Sequence, residues 1–237
     1  MKHIKNIFLY LSYMLSITLM ILIGFIQQDK FYRKTSYINA LQNKVGLYPI
    51  DVNSIENFNK IEKYSKIKLK GFFTNNNIFV YGQRSIYREK HGYYLLSEFK
   101  TDINKTFAVL RGWIPYNIKK SIDLNALSYN DEIVVFAFDG EKSSVFLPKN
   151  DLKNNIWFAL DLEQISSVFN LDINKYLFVA VDSKMLPSYI KKLNIDNIIN
   201  KKNDHMLYAI MWYIFAVIAT IIFIIKSKIF NSIRNKT

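Results

Sequence analysis

Two long apolar segments, one near each end of the chain, dominate the pattern of hydrophobic and polar positions. Ile7–Ile26 and Met206–Ile225 contain no formally charged side chain. A helix that crosses the hydrocarbon core of a bilayer needs about 20 such residues, so each segment is long enough to span a membrane. The first segment exceeds the apolar region of a signal peptide, and no small-residue cleavage site follows it. We therefore predict two transmembrane helices, the first of them an uncleaved anchor.

The residues after the first apolar segment favour more helix. Residues 28–45 lack strong turn signals, so the first helix is predicted to continue until Gly46 and Pro49 end it. Ser54 with Glu56 and Asn57 is typical of a helix start and predicts a short amphipathic helix over Ile55–Tyr64.

From Lys66 onwards, apolar and polar positions alternate, which is typical of β-strands. The predicted strands are Lys66–Phe73, Asn77–Gln83, Gly92–Phe99, Lys105–Trp113, Asp131–Phe138, Asn155–Asp161 and Lys175–Val181. We expect an asparagine-rich turn between the first two, a helix over Leu162–Phe169, and antiparallel meander connections. The predicted fold class is α+β, with two transmembrane helices flanking one β-rich extracytoplasmic domain of mainly antiparallel strands.

The charged ends of the chain predict its orientation in the membrane. Lys2 and Lys5 precede the first span. The basic residues after the second span are Lys226, Lys228, Arg234 and Lys236. Short positive flanks stay in the cytoplasm. The predicted organisation is a cytoplasmic tail (1–6), transmembrane helix 1 (7–26), an extracytoplasmic α+β domain (27–205), transmembrane helix 2 (206–225) and a second cytoplasmic tail (226–237). This describes a multi-pass protein of the bacterial inner membrane with a periplasmic main domain.

Composition narrows the possible functions. The net charge is +13, but only five of the 32 basic residues are arginine and the lysines are scattered, so we expect a lipid bilayer as a partner and no nucleic acid. The chain has no cysteine, which excludes disulfides and thiolate metal sites. No nucleophile elbow, phosphate-binding glycine loop or metal-spaced cluster is present, so no enzymatic activity is predicted.

The second apolar segment carries a histidine at its entrance. At 100° per residue, one stripe of the helix holds its polar, aromatic and small side chains, namely His205, Tyr208, Ala209, Trp212, Ala216 and Ala219. These residues serve either interfacial packing or, through the imidazole, ligation of a metal or haem iron. The first segment offers a similar stripe, in which Gly24 permits close helix approach; its members are Tyr13, Ser16, Met20, Gly24 and Gln27.

Several local motifs together resemble the Surfeit-locus cytochrome oxidase assembly proteins. Asn203, His205, Leu207, Tyr208, Ala209 and Trp212 resemble that family's entrance to its second membrane helix, and Arg111-Gly112-Trp113-Ile114-Pro115 resembles its Arg-Gly-Trp-Val-Pro motif. His91-Gly92-Tyr93 and Gly71-Phe72-Phe73 match two further segments of the family pattern. The first span departs from it, with Phe25 near the position of the family's tryptophan. The resemblance extends over nearly the whole chain.

The resemblance implies a membrane-bound chaperone of the respiratory chain. By analogy, the protein would assist assembly of a haem-copper (cytochrome c) oxidase by binding haem a and aiding its insertion into subunit I, with the haem a synthesis machinery as a further partner. The cofactor-binding residues would be His205, Trp212 and Tyr208, with His205 as the ligand of the haem iron and no other metal. The alternative is a structural membrane protein whose outer β domain docks a partner complex without a cofactor.

The Arg-Gly-Trp-Ile-Pro segment, comprising Arg111, Gly112, Trp113 and Pro115, is predicted to have a structural or partner-binding function. In the structural alternative, Arg111 stacks on aromatic rings, binds a carboxylate and fixes a turn that Pro115 ends. In the functional alternative, its planar guanidinium engages a haem propionate or an acidic partner surface.

Overall fold

The computed structural model describes residues 2–52, 60–83, 90–123, 125–140, 147–172 and 175–234. Within these ranges side chains are described except at residues 2–6, 9, 83 and 229–234. The chain divides into a helical unit, Met1–Ala40 with Asn200–Thr237, and a barrel unit, Leu41–Ile199. The described helices are α1 (Lys2–Val45), α2 (Leu162–Phe169), α3 (Ile195–Ile199) and α4 (His205–Arg234).

Both long helices of the helical unit are apolar enough to cross a membrane by length and composition. The candidate spans are Tyr10–Val45 in α1 and His205–Lys228 in α4. Helix α1 runs without a break to Val45, directly before Gly46, which confirms its predicted continuation. Of the helix predicted at Ile55–Tyr64, residues 55–59 lie outside the described part of the chain. Residues 60–64 are not helical, so that part of the prediction is wrong.

The barrel unit is built on a six-stranded mixed sheet. Its strands are β1 (Ile50–Asp51), β2 (Lys66–Gln83), β3 (His91–Thr101), β4 (Thr106–Pro115), β5 (Asn130–Asp139) and β6 (Tyr176–Ser183). The strand order is β1-β2-β3-β4-β6-β5, and pairing of β5 with β2 closes the sheet into a barrel. The 18-residue length of β2 makes closure possible, because Lys66–Phe72 pair with β5 while Gly71–Gln83 pair with β3.

Alternation along the strands separates two cores. Ile67 and Leu69 of β2 point into the barrel between the lysines of the same strand, and side chains from β3 to β6 meet them there. The opposite face of the sheet is covered by α2, whose Ile165 and Phe169 are buried against it. Helix α2 has the predicted bounds because the Asp161 side chain caps its first turn and Asn170, in a left-handed conformation, ends it.

The predicted antiparallel character is confirmed only in part. Strands β2, β3 and β4 form the expected meander, but β1 runs parallel to β2 and β4 runs parallel to β6. The parallel pair arises because the connection through α2 brings β6 between β4 and β5, where it is antiparallel to β5. A meander prediction assumes that consecutive strands are neighbours, and this crossover breaks that assumption.

The predicted asparagine-rich turn after Phe73 is wrong. Strand β2 continues through it with only a shift of register between Phe73 and Asn77. The buried carboxylate of Glu98 accepts hydrogen bonds from Thr74 Oγ1 and Asn76 Nδ2, each 2.7 Å long. A charged acceptor on the neighbouring strand therefore holds polar residues in an irregular strand where the sequence alone favours a turn.

The strand predicted at Asn155–Asp161 is also wrong. Trp157 is buried and forms only an isolated bridge with Val80. Instead, the side chain of Asn150 accepts hydrogen bonds from the N–H groups of Phe158 (2.7 Å) and Ala159 (3.0 Å). A side chain thus supplies the hydrogen bonds that a neighbouring strand would supply, and a buried apolar run does not by itself require a strand.

Candidate functional site

Helices α1 and α4 contact each other along an antiparallel interface within the helical unit. The ring of Tyr213 lies directly against Gly24, and a side chain at position 24 would clash with it. Further along, Phe223 contacts Tyr13 with ring centroids 5.3 Å apart. Ala209 is completely buried and Ala216 nearly so. Gly24 therefore makes room for an aromatic side chain of the partner helix, as small residues at helix interfaces do; a close approach of the two backbones at this glycine stays a prediction.

His205, the first residue of α4, makes a hydrogen bond across this interface. Its Nδ1 lies 2.9 Å from the side-chain oxygen of Gln27. An amide oxygen only accepts, so Nδ1 is the donor in this hydrogen bond, and Nε2 of a neutral ring would keep its lone pair. The imidazole is half-buried. The helix interface therefore fixes the ring and leaves one nitrogen able to bind a metal ion.

The polar residues before His205 tie the start of α4 to α1. Asn203 Nδ2 donates to the carbonyl of Phe31 and to Thr35 Oγ1, both at 3.0 Å. The neighbouring Asp204 pairs with Lys202 at 3.1 Å and does not orient His205. Gln28, next to Gln27, accepts a 2.9 Å hydrogen bond from the Tyr213 hydroxyl. These contacts hold the start of α4 against α1, so the position of the imidazole depends on the packing of the two helices.

The other two predicted cofactor residues lie elsewhere on α4. The side chain of Tyr208 is 49% exposed, and Trp212 is half-buried and contacts Phe215 of its own helix, with ring centroids 5.9 Å apart. Of the predicted stripe, His205 and Ala209 therefore face α1 most closely, while Tyr208 lies at its edge. In the described part of the chain, no group of three or more His, Asp or Glu side chains is positioned to hold a metal ion.

Arg111 lies in the barrel unit at a bulge in β4. Leu95 and Leu96 of β3 face Gly112 and Leu110, so Arg111 is the extra residue. Its guanidinium carbon is 4.0 Å from the ring centroid of Phe73 and 4.8 Å from that of Tyr129. The predicted stacking on aromatic rings is confirmed. The predicted turn is wrong, because this segment lies inside strand β4 and Pro115 is the last residue of that strand.

The charge of Arg111 is deeply buried. The residue is 1% exposed, and Nη1 donates to the Leu127 carbonyl at 2.8 Å and to Ser97 Oγ at 3.3 Å. Its Nε and Nη2 find no hydrogen-bond acceptor among the described residues. Burial lowers the pKa of Arg111, and the nearby Tyr129 and Asp131 offset this only in part. The guanidinium remains protonated in spite of this, so Arg111 is a cation held mainly by aromatic faces.

Trp113 and Pro115 of the same motif contact the end of β2 and the start of β3. Trp113 is fully buried; its ring lies where a side chain at Gly92 would project, and its Nε1 donates to the Gly82 carbonyl at 3.2 Å. Gly92 pairs with Pro115 across the β3–β4 ladder. The His91-Gly92-Tyr93 and Arg-Gly-Trp-Ile-Pro segments are therefore direct neighbours. Next to them opens a cavity of about 570 Å³ lined by Tyr81, Lys90, His91, Tyr116 and Asn117.

Comparison with known proteins shows similarity over most of the chain. The model of the SURF1 family matches residues 14–217. The chain belongs to the SURF1 family. A SURF1-like protein of Rickettsia bellii is 30% identical over 225 residues, which are 94% of this chain and 92% of the relative. Those of Rickettsia conorii and Rickettsia prowazekii are each 31% identical, over 217 residues (90% and 89%) and 207 residues (86% and 83%).

Membership confirms the resemblance seen in the sequence. The SURF1 family is generally linked to cytochrome oxidase assembly and is an assembly-factor family, not a known class of enzymes. Sequence reasoning selected His205, Gln27 and Gly24 from helical spacing. It missed the Asn203–Thr35 and Tyr213–Gln28 contacts, because spacing on one helix does not show which residue of another helix lies opposite. It missed the tyrosine-lined cavity because that depends on the register of three strands.

Proposed function

We propose that this SURF1-family protein is an inner-membrane assembly factor that binds haem a through His205 and assists its insertion into subunit I of a haem-copper oxidase. The observation that carries the proposal is the hydrogen bond of 2.9 Å between His205 Nδ1 and Gln27 Oε1. Histidines that bind metals almost always donate their other N–H to an acceptor, which fixes the ring and raises its basicity.

Exposed apolar side chains support a membrane position for α1 and α4. Outside their mutual interface, Phe8 is 76% exposed, Leu15 71% and Val217 58%. Apolar surface of this extent is unfavourable in water and favourable in the hydrocarbon core of a bilayer. With basic flanks at both ends of the chain, both termini would lie in the cytoplasm and residues 27–205 in the periplasm.

The described residues around His205 fit a haem. The imidazole nitrogen that does not contact Gln27 would hold the iron, and haem iron commonly takes a single proximal histidine. The haem bound here would itself be the cofactor that the oxidase requires. This chain would hold it reversibly, because it offers one nitrogen ligand. Tyr208 and Trp212 would provide aromatic surface at the same end of α4.

Optical absorption of the purified protein tests the proposal. Full-length protein from the membranes of cells that make haem a is expected to show a Soret band, and His205→Ala is expected to lose it while accumulating normally. Alanine is a good helix former, so α4 should still insert. Trp212→Phe should retain more haem, since it keeps an aromatic surface. A fully haem-loaded His205→Ala protein would overturn the ligand assignment.

A colourless wild-type protein that still supports oxidase assembly would favour the second candidate. In that case the barrel unit docks a partner complex and no cofactor binds. The observation behind this alternative is that the barrel unit contains its own closed core and a surface cavity.

A further inference from the structure

The cavity of the barrel unit is built by three strand ends. Tyr81 comes from the end of β2, His91 from the start of β3, and Tyr116 directly follows β4. The N–H of Tyr116 donates to the His91 carbonyl at 3.1 Å, and the N–H of Tyr81 donates to the Trp157 carbonyl at 2.8 Å. The walls are therefore fixed by backbone hydrogen bonds, even though the side chains of Tyr81 and Tyr116 are open to solvent.

Flat aromatic surfaces form these walls. The rings of Tyr81 and His91 are nearly parallel, with an interplanar angle of 16°, and the Tyr81 hydroxyl lies 3.0 Å from His91 Nδ1. Tyr116 stacks on Tyr93 at 5.7 Å between centroids with an interplanar angle of 19°. The two pairs are steeply inclined to each other, because the rings of Tyr81 and Tyr93 meet at 77°. A flat ligand would therefore stack on one pair and turn its edge towards the other. A planar aromatic body would contact such faces with little loss of side-chain freedom.

One lysine lines the same site and a second lies near it. Lys90 lines the cavity, and Lys119 Nζ lies 4.1 Å from the ring centroid of Tyr93, the residue on which Tyr116 stacks. Neither lysine has an ion-pair partner among the described residues, and none of the described lining residues is acidic. Burial lowers the pKa of Lys119 and, together with Tyr116 and Tyr81, raises that of Tyr93. Lys119 and Tyr93, next to the lining residue Tyr116, are therefore partly shielded from water, which strengthens the interaction of Lys119 with an opposite charge.

We propose that this cavity is a second ligand site, separate from His205, which binds a planar aromatic molecule carrying a carboxylate. The rings of Tyr81, His91 and Tyr116 receive the aromatic body, while Lys90 and the amide of Asn117 receive the carboxylate. A volume of about 570 Å³ is within the range of small-molecule sites, about 300–1,000 Å³. A protein partner would instead require a contact of about 800 Å² on this chain.

The test uses naphthalene-2-carboxylate as the probe, with full-length protein in a non-ionic detergent and an empty-micelle blank. Saturation-transfer NMR is expected to show saturable binding with a Kd of about 1 mM, as suits a ligand of this size. Cyclohexanecarboxylate lacks the aromatic ring and 2-naphthamide lacks the charge, and each is expected to bind at least about fivefold more weakly.

Matched substitutions locate the site. Tyr116→Leu and Lys90→Gln should each weaken binding by roughly fivefold or more, while Tyr48→Leu, at a 97% exposed tyrosine, and Lys153→Gln, at an exposed lysine, should leave it unchanged. All four positions are exposed, so thermal unfolding should match that of the wild type. His205→Ala should bind the probe normally, which separates this site from the haem proposal.

Three results would overturn the inference. They are the absence of saturable binding up to about 10 mM probe, equal binding of the neutral amide, and equal binding by Tyr116→Leu and Lys90→Gln compared with their controls. Loss of haem from His205→Ala together with unchanged probe binding would support both proposals independently.

Discussion

The imidazole of His205 and the side-chain amide of Gln27 are joined by a hydrogen bond of 2.9 Å between the two long helices. His205 is the first residue of α4. Gln27 lies in α1 next to Gln28, which accepts a hydrogen bond from Tyr213. Two adjacent glutamines therefore hold two different side chains of the same partner helix. Substitution of Gln27 should therefore change the orientation of His205. Substitution of Gln28 removes a similar contact between the helices and serves as the control.

Gln27→Leu is expected to reduce haem retention. Leucine keeps the helix but removes the acceptor for Nδ1–H, and loss of such a partner commonly lowers metal affinity about 10–100-fold. The measurement is haem content as a function of added haem for protein purified from haem-depleted cells.

The control for this experiment is Gln28→Leu. It removes the hydrogen bond to the Tyr213 hydroxyl but leaves His205 and Gln27 unchanged, so its haem titration should match that of the wild type. Equal weakening by both substitutions would mean that helix packing matters and that orientation of the histidine does not.

The sequence was informative for this helix pair because a helical period assigns each residue to a face. Spacing placed Gly24 and Gln27 on one stripe and His205 and Ala209 on another. The structure joins Gln27 to His205, but the residue against Gly24 is Tyr213, which lies outside the predicted stripe. Spacing also placed Tyr208 on the stripe, yet its side chain is 49% exposed. The stripe is wider than the contact between two helices, so its edge residues cannot be assigned from one helix alone.

Gly112→Val is expected to destabilise the barrel unit by about 2–3 kcal/mol. The sequence suggested a tight turn, but Gly112 lies within β4 and its backbone is not left-handed. The cost is steric instead: a Cβ atom would lie 2.6 Å from Ile190 Cγ2 and 2.6 Å from the Lys191 carbonyl oxygen. The Lys191 carbonyl cannot move freely, because it accepts the N–H of Trp113 at 2.9 Å. Thermal unfolding of the purified protein measures the effect.

Gly46→Val is the matched control for this substitution. A Cβ atom at Gly46 would meet nothing within 4 Å. Its unfolding should therefore change by no more than about 0.5 kcal/mol. If Gly112→Val were as stable as Gly46→Val, close packing of Lys191 against β4 would be contradicted.

In the barrel unit, strands were predicted correctly where apolar and polar residues alternate without interruption. The prediction failed where a side chain makes the hydrogen bonds that the backbone of a neighbouring strand would otherwise make. Leu69 and its neighbours alternate and were assigned correctly. Thr74 and Asn76 favour a turn by composition, and only the carboxylate of Glu98 on the next strand holds them in β2. The run around Trp157 has the composition of a strand, but Asn150 satisfies its backbone. The first error comes from a hydrogen bond between two different strands, and the second from hydrogen bonds within a loop. Neither kind of contact can be seen in the local sequence pattern.

Asp172→Asn is expected to lower stability at neutral pH but not in acid. The Asp172 carboxylate accepts the Thr106 N–H at 2.8 Å and pairs with Lys105 at 3.0 Å. Burial opposes its ionisation, but these hydrogen bonds hold its pKa below the ordinary value. A depressed pKa stabilises the fold above the pKa of the unfolded state, about 3.9, and this contribution is lost as the pH falls through the folded-state pKa.

The measurement for Asp172 is unfolding of the wild type and the variant between pH 7 and pH 3. The variant should be less stable by about 1 kcal/mol at pH 7, because the site is partly exposed, and the difference should vanish in acid. The exposed Asp196→Asn should show no comparable pH-dependent difference. A difference for Asp172→Asn that persisted at pH 3 would contradict the assignment.

Reporter fusions test the proposed orientation. Alkaline phosphatase fused after Asn150, within the barrel unit, should be active because this part of the chain would lie in the periplasm. A reporter that works only in the cytoplasm should be inactive at Asn150 and active after Lys228, the last residue of the candidate span His205–Lys228. The reverse pattern at Asn150 would refute the proposed topology.

Arg111→Met separates packing from charge in the barrel unit. Methionine keeps much of the volume between Phe73 and Tyr129 and removes a buried cation whose Nε and Nη2 have no acceptor among the described residues. Relief of desolvation should offset loss of the ring contacts and of the hydrogen bond to Leu127, so stability should change by only about 1 kcal/mol.

Arg111→Lys is the comparison that makes this prediction specific. It keeps the charge but loses the planar group that stacks on both rings, so it should be less stable than Arg111→Met by roughly 2 kcal/mol in thermal unfolding. The opposite order would show that the positive charge itself stabilises the barrel. Oxidase assembly in cells then tests the functional alternative. A stable Arg111→Met protein that supports normal assembly would exclude recognition of a propionate or acidic partner through this cation. A stable variant that fails would mean that the buried guanidinium becomes accessible during assembly.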